Sequence, residues 1–339
     1  MSLILLGLES SCDDTSAAIM EDTYLLSNII SGQKVHKAYG GIVPELASRA
    51  HQQNIIPVVD MAIKNAGIKK TDINGIAFTR GPGLLGSLLV GTSFAKGFAL
   101  SLKIPLIEVN HLQGHILSNF LQIKEKPKSV PKFPFLSLLV SGGHSEIVIV
   151  KDYLKMETIG RTIDDAAGEA FDKCGKLLGL PYPAGPDIDR LAANGDSQKF
   201  QFNKPRIKNL DYSFSGLKTS FLYFLRDSIK EDPDFIKKNT IDLCASLQRT
   251  IVEILLDKLI SASRITGIKE ICLAGGVSAN SELRKSVLSI AVNNGWNVFI
   301  PPLEFTTDNA AMIAIAGYYK YINKEFVGQD VIPSARMRI

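Results

Sequence analysis

The sequence has little cysteine, and what it has is dispersed. Its four cysteines, Cys12, Cys174, Cys244 and Cys272, form no C-x-x-C pair. Neither a disulfide framework nor a structural zinc module fits that scatter, so reduced thiols are expected. Also missing is any run of roughly 18 uninterrupted apolar residues, the length a membrane span needs. The opening "MSLILLGLESSCDD" has a short apolar segment with no basic residue before it and acids directly after it, unlike a secretory signal. A cytoplasmic protein with no membrane partner is expected. The G-x-x-x-x-G-K-[ST] loop of many nucleotide hydrolases is absent too. "RGPGLLGS" (80–87) lacks its lysine and reads as a glycine turn opening a helix.

Charge is only mildly unbalanced. A net charge of +4 and a pI of about 8.7 permit a nucleic-acid partner without requiring one. Basic residues gather at "KEKPKSVPK" (124–132) and "KFQFNKPRIK" (199–208), where a solvated loop and a phosphate contact are both open readings. With 339 residues and 45% hydrophobic content, the chain exceeds a single typical core, and two lobes are expected.

The chain repeats one design. "LILLGLESSCDDTSAAIM" reads as strand, turn of small and acidic residues, strand, and "FPFLSLLVSGGHSEIVIV" does the same from Phe133. Between them strands and helices alternate: a helix through "GGIVPELASRAHQQNIIPVVDMAIKNAG", a strand at "INGIAFTR", a helix after "GPGLLGS", a strand at "IPLIEVN". The Lys- and Pro-rich segment 124–134 is the expected linker. Beyond it come helical stretches over 162–193 and 213–227 and an amphipathic helix over 240–266. The strand "IKEICLAGG", a helix over "VSANSELRKSVLSIAVNNG", the strand "NVFIPP" and a last helix after Asp308 complete the chain. The whole reads as α/β.

Chemistry is concentrated in the turns. In "NHLQGH", His111 and His115 are four residues apart, a spacing that places both on one helical face and lets them share a metal ion. Zinc proteases add a glutamate after the first histidine as general base; here that position is Leu112. Histidines that cap the helix or face solvent are the alternative. Asp308, in "FTTDNAA", suits either an N-cap or the third ligand of a two-histidine, one-carboxylate site. In "LVSGGHSE", Ser141, Gly142 and Gly143 offer bare backbone N–H groups to an anion. "ESSCDDTS" occupies the matching turn of the first half, and "LAGGVSAN" follows a strand and opens a helix, as nucleotide loops do. Asp172 reads as a solvated charge, while Gly185 and Asp189 lie in a Pro-rich turn suited to a ribose or base. Two strand-turn-strand loops with a later strand-glycine-helix loop match the two-lobed, duplicated actin, sugar kinase and Hsp70 (ASKHA) layout.

"NHLQGH", "LLVSGGHSE", "GEAFDKCGKLLGLPYPAGP", "DYSFSGLKT", "LAGGVSANSELR" and "TTDNAAMIA", in that order over nearly the whole chain, resemble the tRNA N6-adenosine threonylcarbamoyltransferase (TsaD) family. That family was formerly labelled O-sialoglycoprotein endopeptidase. "YGGIVPELASRAH" resembles its bacterial branch. The resemblance implies transfer of threonylcarbamoyl from threonylcarbamoyl-AMP to N6 of the adenosine 3′ of the anticodon, position 37, in tRNAs reading codons that begin with A. It implies one divalent ion, Fe2+ or Zn2+, on His111, His115 and Asp308. The adenylate would lie along Leu139, Val140, Ser141, Gly142 and Gly143, with Asp172, Gly185, Asp189 and Asn280 around ribose and adenine. A smaller paralogous TsaB-like subunit and a TsaE-like P-loop ATPase are the implied partners. Glu9, Asp13 and His144 are the candidate proton acceptors or orienters. The expected lobes are 1–128 with 309–339, and 129–308. A metalloprotease and a kinase or ATPase of the same superfamily are the rival readings.

Overall fold

The structure, a computed structural model, describes residues 2–33, 36–205 and 207–339. It divides into two compact units, Met1–Pro131 with Asp152–Met156 and Pro301–Ile339, and Lys132–Lys151 with Glu157–Ile300.

In the first unit, β1 (Ile4–Glu9), β2 (Thr15–Glu21), β3 (Tyr24–Ser31), β4 (Gly75–Gly81) and β5 (Leu106–Asn110) form a sheet in the order β3-β2-β1-β4-β5. β1 runs antiparallel to β2 and parallel to β4, which is parallel to β5. The helices of this unit are α1 (His36–Tyr39, a single turn), α2 (Pro44–Asn65), α3 (Leu85–Leu102), α4 (His111–Leu117) and the last helix of the chain, α10 (Ala310–Ile322). Alternation along β1 sends Leu6 and Leu8 to one face, where Ile55 and Val59 of α2 and Ala95 of α3 pack on them. Gly7 points to the other face, where a Cβ would collide with the Ala310 carbonyl and with Ala314. Small residues thus let α10 lie almost on the backbone of the sheet. By length and composition α3 could cross a membrane, but its Ala95 and Ala99 belong to this packed core.

The second unit repeats the pattern. Strands β6 (Phe135–Val140), β7 (Ser145–Asp152), β8 (Lys155–Arg161), β9 (Glu270–Ala274) and β10 (Asn297–Phe299) stand in the order β8-β7-β6-β9-β10, the same topology in new residues. Helices α5 (Ala167–Leu177), α6 (Gly185–Ala192), α7 (Ser215–Glu231), α8 (Phe235–Thr266) and α9 (Ser281–Asn294) complete it. Phe171, Phe214, Phe221, Leu247 and Ile251 are core residues here.

Several elements differ from the sequence reading. Strands β3 and β8 are additions; both lie at sheet edges and are half exposed, so neither shows clean alternation. α2 begins only at Pro44, a residue suited to a first turn. α8 starts at Phe235, ahead of its apolar stripe, and ends as expected before Gly267, whose φ of 73° makes a left-handed cap. The helix expected across "VSANSELRKSVLSIAVNNG" is broken: Gly276–Ala279 form a 3-10 turn, and Asn280 caps α9 by accepting from the Leu283 N–H.

The tight seat of α10 yields a prediction. Gly7→Ala lowers stability by about 1–3 kcal/mol through overpacking, whereas Gly97→Ala, at an exposed α3 position with open space around it, raises it by about 0.5–1 kcal/mol. Urea unfolding of the two variants checks both signs.

Candidate functional site

Parallel strands β1, β4 and β5 end on one edge of the first sheet, and their last residues supply a polar cluster. β5 ends at Asn110 and passes directly into α4. The Asn110 side chain accepts from the Leu112 N–H (2.9 Å) and the Gln113 N–H (3.4 Å), so Asn110, not His111, is the cap. His111 therefore opens the helix and His115 stands one turn on. His111 is 8% exposed and His115 fully buried, which excludes solvent-facing histidines. Asp308 is not a cap either. Asn309 takes that place, its side-chain oxygen accepting from the Met312 N–H at 3.2 Å, and Asp308 is left to turn toward the histidines.

The three side chains converge. His115 Nε2 lies 3.1 Å from His111 Nε2 and 3.1 Å from Asp308 Oδ1, and His111 Nε2 lies 3.4 Å from the same oxygen. Ligands of one tetrahedral ion with bonds of about 2.0–2.1 Å stand roughly 3.4 Å apart, so the spacing suits a shared cation. His111 Nδ1 donates to Glu9 Oε2 at 3.0 Å, which orients the ring and, in its neutral form, leaves the Nε2 lone pair directed inward. Glu9 is itself held: Oε2 accepts from Thr79 Oγ1 at 2.6 Å and Oε1 from the Ser11 N–H. His115 Nδ1 is buried and has no hydrogen-bond partner among the described residues.

Protonation follows from this crowding. Burial favours neutral His111, but the charges of Glu9 and Asp308 outweigh it and hold the ring well above the usual imidazole value. Burial raises Glu9 and Asp308, yet His111 draws both below the ordinary carboxylate range, His115 adding to the effect on Asp308. His115 is lowered, chiefly by burial. Nearby, Asp14 is pushed up to about 7 by burial and then by Asp13, Asp308 and Glu9. Carboxylates outnumber cations in this cluster, which favours binding a positive ion. Asp13 is half-buried in the same β1–β2 turn.

The sequence reading missed what braces that turn. His51 of α2 is fully buried, with Nε2–H donating to the Cys12 carbonyl (3.0 Å) and Nδ1 accepting from the Thr15 hydroxyl (2.7 Å). Burial lowers its pKa, in keeping with a neutral ring. Its signal was a lone histidine in the buried stripe Ala47, His51, Ile55, Val58. Ser11 and Thr79, which hold Glu9, carried no comparable signal.

The remaining candidates lie in the second unit. Leu139 and Val140 are fully buried in β6, so their side chains belong to the core. After them Ser141 and His144 close the turn, Ser141 N–H donating to the His144 carbonyl at 2.8 Å and His144 N–H to Ser141 Oγ at 3.1 Å. Gly142 and Gly143 are exposed with open space beside them. Gly168 of α5 seats against this turn, where a Cβ would stand 2.7 Å from the Ser141 carbonyl oxygen. One turn along α5, Asp172 is half-buried rather than a solvated charge and accepts from the Ala184 N–H at 2.7 Å, tying itself to the start of α6, where Gly185 stands. Burial raises its pKa. Asp189 accepts from the Ser281 hydroxyl (2.7 Å) and N–H (3.1 Å), and Asn280 donates to Gln248 Oε1 at 2.8 Å, so both meet at the start of α9. In the basic cluster, Lys199 pairs with Asp242 and Lys204 with Glu253. Arg206 lies outside the described residues.

Two predictions follow for the first-unit cluster. Glu9→Gln weakens binding of a divalent ion about 10–100-fold, because the carboxylate charge that orients His111 is lost and an amide N–H is set against the donors of Ser11 or of Thr79 and His111. His115→Ala, which removes a ligand, weakens it further. Zinc titration against a competing chelator, with circular dichroism as a folding control, measures both.

The chain's similarities agree with this arrangement. A family profile described as tRNA N6-adenosine threonylcarbamoyltransferase matches residues 24–315. A Porphyromonas gingivalis protein of that name is 61% identical over 337 residues, 99% of each chain, and a Phocaeicola vulgatus protein of that name is 60% identical over 339 residues, 100% of each chain. Among solved structures, HypF of T. kodakarensis aligns with 97% of this chain (TM-score 0.63, 13% identity), and a full-length HypF in phosphate- and nucleotide-bound form with 95% (TM-score 0.57, 16% identity). The chain spans 49% and 46% of those longer proteins, whose likeness is one of fold: the duplicated α/β architecture of the actin, sugar kinase and Hsp70 class. With a profile that covers most of its length and near-full-length relatives at 61% and 60% identity, the chain belongs to the tRNA N6-adenosine threonylcarbamoyltransferase family.

Proposed function

We propose that the chain transfers the threonylcarbamoyl group of threonylcarbamoyl-AMP to N6 of adenosine 37 in tRNAs that read codons beginning with A, forming N6-threonylcarbamoyladenosine. What carries the reading is one coincidence: membership of a transferase family together with a complete two-histidine, one-carboxylate cluster in the same chain. The reaction belongs to the cytoplasm.

An adenine amine is a weak nucleophile, but the acyl adenylate is already activated, so positioning and stabilisation of developing charge are the main tasks. The new bond joins N6 to the carbamoyl carbon, the bond from that carbon to the AMP oxygen breaks, and N6 loses a proton. The open N–H groups of Gly142 and Gly143 suit the donor phosphate, and Asp172, Gly185, Asp189 and Asn280 suit the nucleoside. Asp189 retains free lone pairs for ribose hydroxyls beyond those given to Ser281. Glu9 acts as an orienter, since its oxygens already serve Ser11, Thr79 and His111. Asp13 and His144 are the proposed proton acceptors. Iron or zinc held by His111, His115 and Asp308 would supply Lewis acidity at the first-unit cluster. Glu9 does not serve the protease rival as its base, because its oxygens are engaged by Ser11, Thr79 and His111.

A paralogous TsaB-like subunit and a TsaE-like P-loop ATPase complete the proposed system. Support for a protein partner comes from α2 and α3, which expose Ile56, Met61, Leu85, Leu89 and Leu100. Leu89→Glu is expected to cost about 2 kcal/mol of association with the paralogous subunit, read by analytical ultracentrifugation, and to leave the isolated chain's urea midpoint unchanged.

Nucleoside mass spectrometry of a tRNA transcript incubated with threonylcarbamoyl-AMP, the chain and both partners tests the function. The modified nucleoside is expected with the unaltered chain and absent with His111→Ala. Phosphoryl transfer to a small substrate without tRNA would favour the kinase rival instead.

A further inference from the structure

The glycine turn "RGPG" (80–83) has no part in the metal cluster, yet it is built to hold something. The segment that follows α10 lies on it. Arg80 Nε donates to the Ile332 carbonyl (3.0 Å), the Ser334 N–H to the Arg80 carbonyl (2.8 Å), and the Gly83 N–H to the Ala335 carbonyl (3.2 Å). A Cβ on Gly81 would overlap the Ser334 carbonyl oxygen, so the seat requires glycine there. Asn110 Nδ2 donates to the Arg338 carbonyl at 2.9 Å, while the same side chain's oxygen caps the histidine helix. The segment is thus fixed along its length and ends beside His111.

Its charge is unspent. "IPSARMRI" (332–339) contains no acid, and Arg336 and Arg338 are exposed. Neither forms an ion pair with any carboxylate among the described residues, whereas Arg80 is paired with Glu108 at 2.6 Å. The basic segments that stood out in the sequence are more nearly neutralised: Lys124 pairs with Glu21, Lys199 with Asp242 and Lys204 with Glu253. Guanidinium forks match phosphate oxygens, and a backbone already fixed loses little entropy on binding.

We propose that residues 332–338 form an RNA-contacting arm in which Arg336 and Arg338 take backbone phosphates of the polynucleotide whose base is modified. The assignment rests on the transferase reading. It adds to that reading the element that holds the RNA beside the histidine helix.

The test compares the full chain with the Arg336→Ala/Arg338→Ala double variant, both with the two partner proteins present, by fluorescence anisotropy of labelled tRNA at several salt concentrations. Each lost phosphate contact is expected to flatten the slope of log K against log salt by about 0.7–0.9. Affinity near physiological salt falls about tenfold, zinc stoichiometry and donor affinity are unchanged, and Arg336→Lys/Arg338→Lys restores most of the slope. An unaltered affinity and slope in the double alanine variant overturn the arm, and so does loss of zinc together with tRNA, which would make the segment a brace for α4. If the unaltered chain forms no N6-threonylcarbamoyladenosine, the transferase reading falls and the arm with it. If that chain is active and the double variant binds tRNA normally, only the arm falls.

Discussion

A carboxylate can be buried only when donors surround it, and the first unit is arranged to meet that condition at Glu9. Glu9 ends β1, Thr79 comes from β4, the Ser11 N–H from the turn after β1, and His111 from the chain just after β5. Removing one partner of a buried charge typically costs about 3–5 kcal/mol, so the three strand ends are tied together by a single group. The result also serves the site. The oxygen that satisfies His111 Nδ1 makes its other nitrogen available to a cation, and Asp308 and His115 converge on the same point. The same acceptor thus stabilises the strand edge and prepares a ligand.

The duplication explains why one fold offers two kinds of loop. Both units use the same sheet order, with a strand-turn-strand unit at the head and two parallel strands beside it. In the first unit the turn is acidic, braced from α2 by His51, and lies beside histidines. In the second it is Ser141-Gly142-Gly143, open and backed by the first turn of α5. Equivalent positions in the topology are thus acidic and flanked by histidines in one case, and open and built of glycine in the other.

Much of this was legible in the sequence because its signals are local. The alternating strands around "ESSCDD" and "SGGH", the i,i+4 histidines and the glycine after α8 each report a nearby backbone requirement. Edge strands β3 and β8 were not legible, since half-exposed residues lack a clean period. Asp308 stayed ambiguous between cap and ligand until the structure assigned the cap to Asn309. Long-range partnerships were the least visible. Thr79 and Ser11 are ordinary residues whose role appears only when the strand ends meet, and nothing near "RGPG" announces that residues 332–338 will lie across it. Asp189 and Asn280 stood out as polar residues in turns, but their shared place at the start of α9 depends on contacts about ninety positions apart in the chain.

The central claim is that His111, His115 and Asp308 hold one metal ion. X-ray absorption at the metal edge of the reconstituted protein tests it most directly. The account predicts imidazole scattering from two histidines with nitrogen and oxygen ligands at about 2.0–2.2 Å and no sulfur. A sulfur shell at about 2.3 Å, which would implicate Cys12, or the absence of imidazole scattering would contradict it.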